Sequence, residues 1–128
     1  LGYLCLGQDI ASLSGGESQR LRLSRELSKR STGKTLYLLD EPSVGLHASD
    51  IALLVPILHS LRDKGNTVIV IEHNLELIAT ADHIIDIGPG PGPEGGKVLF
   101  SGIPEKLVTK GSSKTAPFLK EALKKKKI

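Results

Sequence analysis

Cysteine and aromatic residues are scarce in this sequence. Its 128 residues include a single cysteine, Cys5, and aromatic residues make up only 3%. One cysteine excludes an internal disulfide and a CxxC-based zinc site within this chain, and it fits a reducing compartment better than secretion. The four Tyr and Phe residues are too sparse for a platform on which nucleic-acid bases stack.

Long apolar runs are also absent. No stretch approaches the roughly 20 apolar residues that a membrane-spanning helix needs, and the opening LGYLCLGQDI does not follow the pattern of a signal peptide. We therefore expect a cytoplasmic protein without a membrane partner. The abrupt apolar start also predicts that the chain is a fragment of a longer protein.

The positive charge is concentrated at the C-terminus. The chain has 17 Lys and Arg residues against 14 acidic ones, and Lys124 to Lys127 supply four of the cations. The rest of the chain is close to neutral, which argues against a broad nucleic-acid-binding face on this segment. A terminal lysine run is typical of a solvated, disordered end. With 39% hydrophobic residues, the chain has enough apolar side chains for one core, and so for at most one domain.

Helical and strand patterns alternate along the chain. The spacing of Leu23 and Leu27 predicts a helix with one buried stripe, and the run TLYLLDEP at 35–42 is typical of a strand buried on both faces of a parallel sheet. The helical pattern from Ala48 to Lys64 contains Pro56, a predicted kink, and ends at Gly65. Further strands are predicted at 67–71, 83–87 and 97–101, further helices at 75–80, 103–109 and the C-terminus, and a Gly/Pro-rich loop at 88–96. This order predicts an α/β fold, a mostly parallel sheet with flanking helices and right-handed crossovers.

Polar residues follow the predicted strands directly. Asp40 and Glu41 come after one strand, and Glu72 and His73 after the next, at the carboxyl ends where α/β sheets bind ligands. Two adjacent carboxylates after a buried strand are costly to desolvate unless a cation or a reaction uses them. One acid can hold magnesium through its water shell, while its neighbour orients or deprotonates an attacking water. His73 can donate a hydrogen bond to a phosphate oxygen.

A second anion-binding pattern precedes the first helix. In SLSGGESQRLRLSREL, Ser14, Gly15 and Gly16 stand where backbone amides and a hydroxyl meet the positive end of the helix dipole. A terminal phosphate is the best candidate ligand. Glu17 lies in the first turn, where it can also cap the helix. An ordinary helix N-cap is the alternative explanation for these residues.

These motifs together resemble the ATP-binding cassette (ABC) ATPases. LSGGESQR is similar to the family signature, LYLLDEP to the Walker B strand and VIEHN to the switch-histidine strand. Residues 12 to about 108 look more specifically like the C-terminal nucleotide-binding domain of the UvrA family of bacterial nucleotide excision repair. SVGLH lacks the aspartate that typical transporters of the superfamily carry in this loop, a departure that is itself UvrA-like. On this resemblance, residues 1–110 are part of an ABC nucleotide-binding domain, and residues 111–128 are a C-terminal helix and basic tail.

The resemblance implies an ATPase whose nucleotide lies between two domains. The implied roles are catalysis for Glu41 and His73, magnesium binding through water for Asp40, and ATP binding for Ser14, Gly15, Gly16, Glu17, Asp40, Ser43, Gly45 and His47. Ser14 to Gly16 would reach a nucleotide held by a second domain or a homodimer partner, and Ser43 to His47 would run between the two sites. The parent protein would use ATP to load onto damaged double-stranded DNA and recruit UvrB.

Other parts of the family pattern do not occur in this chain. STGKT at 31–35 imitates the end of the phosphate-cradling Walker A loop, but Ser28 stands in place of its first glycine and the segment enters a strand instead of following one. The parent's zinc-binding cysteines and its glutamine loop are missing as well. The isolated chain is therefore expected to be inactive. Two alternatives remain open at this stage: a non-catalytic dimerisation or partner-binding module, and a fragment of another ABC-superfamily ATPase.

Overall fold

The computed structural model describes residues 15–29, 33–90, 93, 95–111 and 113–125. Its helices are α1 (Gly15–Ser28), α2 (Ala48–Asp63), α3 (Leu75–Ile78), α4 (Pro104–Leu107) and α5 (Ala116–Lys125). Its strands are β1 (Leu36–Asp40), β2 (Thr67–Ile71), β3 (Ile84–Gly88) and β4 (Lys97–Gly102). The chain divides into two compact units, residues 1–72 and residues 73–128.

A β–α–β arrangement forms the first unit. Strands β1 and β2 pair in parallel, with Leu36 opposite Thr67 and Asp40 opposite Ile71, and α2 connects them. The apolar residues of α2 recur at helical spacing and bury one stripe, consisting of Ile51, Leu54, Leu58 and Leu61, each at most 6% exposed. Burying each such side chain stabilises the fold by about 1.5–3 kcal/mol. Helix α1 packs against α2, and its Leu23 is buried.

Both ends of α2 follow their local sequence signals. The helix starts after His47, and its predicted stop is confirmed: Gly65 takes a left-handed φ of 86° and donates its amide to the Arg62 carbonyl. Pro56 lies inside the helix and is exposed. The helix continues past it, although the proline ring supplies no amide for the carbonyl four residues earlier.

The second unit packs three helices on an antiparallel pair of strands. Its core is formed by Ala79, Phe100, Leu107, Ala116 and Leu119, which come from α4, α5, β4 and the residue after α3. Strands β3 and β4 pair antiparallel, with a bulge between Asp86 and Ile87. Short helix α3 begins at Asn74, whose side chain accepts hydrogen bonds from the amides of Glu76 and Leu77.

The prediction of a mostly parallel sheet is correct for β1 and β2 and wrong for β3 and β4. The segment between Gly88 and Lys97 is a Gly/Pro-rich loop, and no helix is described in it. A parallel crossover needs a dozen or more residues, usually with a helix, so a link this short can only return the chain antiparallel.

The prediction that the LYLLD strand is buried on both faces is also wrong for this chain. Leu36 and Leu38 are 61% and 66% exposed, and Ile69 and Ile71 on β2 are about half exposed. The alternate residues, Tyr37 and Leu39, are partly buried. Within this unit, one face of the β1–β2 pair is covered and the other is open.

The C-terminal lysines are helical where they are described. Helix α5 extends to Lys125, so Lys124 belongs to its last turn and not to a disordered tail, while residues 126–128 lie outside the described residues. No helix in the described part of the chain is long and apolar enough to cross a membrane. The predicted boundary near residue 110 stays a prediction.

Candidate functional site

The acidic pair lies at the carboxyl edge of the parallel strands. Asp40 is the last residue of β1, and Glu41 follows it directly. The Glu41 amide continues the strand ladder by donating to the Ile71 carbonyl at 2.9 Å. The β1–β2 pairing therefore fixes the backbone of both acidic residues at the edge where parallel sheets bind ligands.

Glu41 has a backbone conformation that is rare outside glycine. Its φ is 43°, the only positive φ among the non-glycine residues that the structure describes. The left-handed region costs an ordinary residue about 1–2 kcal/mol. Immediately after it, the Val44 amide donates to the Glu41 carbonyl at 3.1 Å and closes a tight turn. Strain of this kind persists where surrounding bonds over-determine the backbone, and it is concentrated at functional sites.

Both carboxylates are exposed in this chain. The cost of desolvating two buried carboxylates therefore does not point to a ligand here. A ligand site is indicated by their position at the strand end and by the strained backbone of Glu41.

Residues Ser43 to His47 form a loop that is held at both ends. The Ser43 amide donates to Oε1 of Glu72 at 2.8 Å, and the Leu46 amide donates to the Ser43 carbonyl at 3.0 Å. At the other end, the His47 amide donates to Oδ2 of Asp50 at 3.3 Å, at the start of α2. Gly45 supplies a left-handed φ of 74° between these two anchors.

The glycines of the SGG motif lie at the start of a helix, as the sequence predicts. Helix α1 begins at Gly15 and includes Gly16, and Glu17 occupies its first turn with a half-buried side chain. Ser14 lies outside the described residues. Amides at the start of a helix of 14 residues are donors without intrahelical partners, which is the property that an anion requires.

His73 is the first residue of the second unit and is exposed. It follows Glu72 directly, so the end of β2 leads into it. Its predicted contact with a phosphate stays a prediction.

The carboxyl edge of β1 and β2 carries carboxylate oxygens of the kind that magnesium binds. Among the described residues, no group of three or more His, Cys, Asp or Glu side chains could hold a metal ion. Magnesium usually keeps several waters and binds one or two carboxylates together with substrate phosphates. A single exposed carboxylate at Asp40 is compatible with that mode of binding.

The segment that imitates a Walker A loop has a structural role. Gly33, Lys34 and Thr35 precede β1, and a Cβ added to Gly33 would lie 3.3 Å from the Lys64 carbonyl oxygen. Gly33 therefore passes close to the backbone at the end of α2. Lys34 and Thr35 lead into a strand, as the sequence predicts, whereas a phosphate-binding loop follows a strand.

Three long-range hydrogen bonds could not be predicted from the sequence. The sequence places Glu72 only at the end of a strand, and its carboxylate accepts a hydrogen bond from the Ser43 amide. In the second unit, the hydroxyls of Ser113 and Thr115 donate to Asp86 at 2.6 and 3.2 Å. The sequence offers no local signal for any of the three hydrogen bonds, because the partners are separated by 27 to 29 residues.

Comparison with known proteins gives strong matches over nearly the whole chain. It is 57% identical over 125 residues to UvrABC system protein A of Haemophilus influenzae, and 58% identical over 123 residues to that of Escherichia coli K12. These alignments cover 98% and 96% of this chain but only 13% of each relative. A crystal structure of UvrA2 from Deinococcus radiodurans superposes with a TM-score of 0.90 at 47% identity, covering 96% of this chain and 15% of that one. No family profile matches the chain.

The fold and the acidic edge define an α/β protein with a candidate ligand site at the carboxyl ends of a parallel strand pair. The particular family follows from the identities and from the superposition. The chain belongs to the UvrA family. It spans about one eighth of the length of the curated relatives that it matches.

Proposed function

We propose that this chain is the part of an ATP-dependent DNA-damage recognition protein that carries its ABC signature, Walker B and switch-histidine elements. The observation that carries the proposal is the fixed position of Asp40 and Glu41 at the carboxyl edge of β1 and β2, in a chain that matches UvrABC system protein A over nearly its whole length. The activity belongs to nucleotide excision repair.

In the first unit, Asp40 and Glu41 have different roles in ATP hydrolysis. Asp40 would hold the magnesium ion, and Glu41 would take a proton from the attacking water. Bound magnesium supplies charge neutralisation on the phosphates. Positioning and electrostatic stabilisation dominate phosphoryl transfer, so the fixed backbone at Glu41 is an advantage for a general base.

The remaining motif residues act at the edges of the site. His73 donates a hydrogen bond to the terminal phosphate. A nucleotide held by a second domain or a homodimer partner binds to Ser14, Gly15, Gly16 and Glu17. The loop from Ser43 to His47, including Gly45, connects the two sites.

The open sheet face supports a role as part of a larger body. Leu36, Leu38, Ile69 and Ile71 form a contiguous apolar surface on one face of the β1–β2 pair. Exposed apolar patches of this kind mark surfaces that pack against other protein. We infer that the rest of the parent chain, with its Walker A loop, covers this face.

The parent protein's partners follow from the same proposal. They are UvrB, damaged double-stranded DNA and a second nucleotide-binding domain, with ATP and magnesium as cofactors and the cytoplasm as the compartment. Zinc is bound by parts of the parent that lie outside this segment, and most of the DNA contact is made there too.

The test is Glu41→Gln in the full-length protein. An amide keeps the shape of the side chain and loses its basicity, so steady-state ATP hydrolysis should fall to background while ATP binding, measured by calorimetry, is retained. Glu105→Gln removes the charge of an exposed glutamate on α4 and serves as the matched control. Unchanged hydrolysis in Glu41→Gln would refute the proposal and favour a non-catalytic dimerisation or partner-binding module.

A further inference from the structure

The side chain of Glu72 connects the end of β2 to the loop that follows β1. Glu72 is half-buried and comes directly after Ile71, the last residue of β2. Its Oε1 accepts a hydrogen bond from the Ser43 amide at 2.8 Å, across 29 residues of sequence. A carboxylate acceptor makes this a charge-assisted bond, which is shorter and stronger than a neutral one.

Two hydrogen bonds from the end of β2 hold the short turn that contains Glu41. The Glu41 amide is fixed by the Ile71 carbonyl at 2.9 Å, and the Ser43 amide, two residues later, is fixed by Glu72. Between these anchors, Glu41 has its left-handed φ of 43°. Such a conformation persists only where its surroundings enforce it, and both enforcing groups come from consecutive residues at the end of β2.

We propose that Glu72 is a positioning residue for ATP hydrolysis, which sets the place of the Glu41 carboxylate by holding the Ser43 amide. The inference rests on the proposed function, since it takes Glu41 as the general base. Glu72 acts through the backbone turn. Its removal therefore changes the orientation of the base and leaves the affinity for nucleotide intact.

Three substitutions in the full-length protein separate the position of the acceptor oxygen from its charge. Glu72→Gln keeps an acceptor oxygen at the same reach and removes the charge. Glu72→Asp keeps the charge but is one methylene shorter, and Glu72→Met keeps the length without an oxygen. Glu105→Met is the control for replacing a glutamate elsewhere.

We expect Glu72→Asp and Glu72→Met to lower kcat about tenfold or more, with the KM for ATP changed less than about twofold. Glu72→Gln should keep most of the wild-type kcat, because it keeps an acceptor oxygen at the same reach. If Glu72→Met folds poorly, as a lowered melting temperature would show, the comparison of Glu72→Asp with Glu72→Gln decides. Wild-type kcat in Glu72→Asp, or equal losses in Glu72→Asp and Glu72→Gln, would overturn the inference.

Glu41→Gln, assayed in parallel, distinguishes the two possible failures. If Glu41→Gln hydrolyses ATP at the wild-type rate, the proposed function itself is wrong. If Glu41→Gln is inactive while all three Glu72 variants turn over normally, the proposed function stands and the positioning role of Glu72 is refuted.

Discussion

Asn66 joins the end of α2 to the start of β1 through its contact with Thr35. Its Oδ1 accepts from the Thr35 amide at 3.2 Å, while its Nδ2 donates to the Leu61 carbonyl at 2.9 Å. The side chain is only 7% exposed. It therefore supplies hydrogen-bond partners for two backbone groups, one in the last turn of α2 and one just before β1, the strand that ends at Asp40.

Replacing Asn66 with leucine should loosen this junction. The substitution leaves the Thr35 amide and the Leu61 carbonyl without this partner, at a cost of about 1–3 kcal/mol for a buried polar group. Hydrogen–deuterium exchange of the full-length protein should show faster exchange in peptides from β1 and the end of α2. Lys34→Leu changes a neighbouring exposed side chain and should leave exchange unchanged. Equal protection in both variants would contradict this role of Asn66.

Gly65 should tolerate no side chain. Its φ is 86°, and a Cβ added there would lie 3.3 Å from the Cα of Gly33. Gly65→Ala should therefore destabilise the helix-to-strand connection by about 1–3 kcal/mol. Limited proteolysis of the full-length protein should then cut faster between α2 and β2. Gly111→Ala is the matched control, because nothing lies within 4 Å of its added Cβ. Similar cleavage rates for the two variants would show that the close approach at Gly65 is unimportant.

Asp86 and Ser113 should be energetically coupled. The Ser113 hydroxyl donates to Asp86 at 2.6 Å and also accepts from the Ala116 amide at the start of α5. Asp86→Ala should destabilise the chain by about 1.5–3 kcal/mol, the range for a hydrogen bond to a charged group. A double-mutant cycle with Ser113→Ala, followed by urea denaturation and circular dichroism, measures the coupling directly. Additive effects of the two substitutions would mean that the hydrogen bond contributes nothing to stability.

The isolated 128-residue chain should neither bind ATP tightly nor hydrolyse it. In P-loop ATPases the Walker A loop binds the phosphates of ATP, and Lys34 belongs to a segment that leads into a strand instead. Calorimetry with magnesium ATP and a phosphate-release assay on the purified chain test this. Micromolar binding with steady turnover would show that the chain is a complete enzyme.

Local chemistry determined the order of the elements and the position of the motifs. The apolar spacing of α2, its stop at Gly65 and the acids after LYLLD all depend on neighbours within a few residues, so the sequence alone predicts them. The start of α1 at Gly15 follows in the same way. The resemblance to the UvrA family also lies in short motifs, and the comparisons confirm it.

Tertiary structure decided how distant segments meet. The open face at Leu38 and the bond between Glu72 and Ser43 each depend on segments far apart in sequence. The left-handed backbone of Glu41 belongs to the same group, because bonds from the end of β2 hold its turn. Periodicity reports which side of an element is apolar, but it does not report what covers that side. The Glu72 carboxylate at the end of β2 meets the Ser43 amide beyond the end of β1 only when the chain is folded.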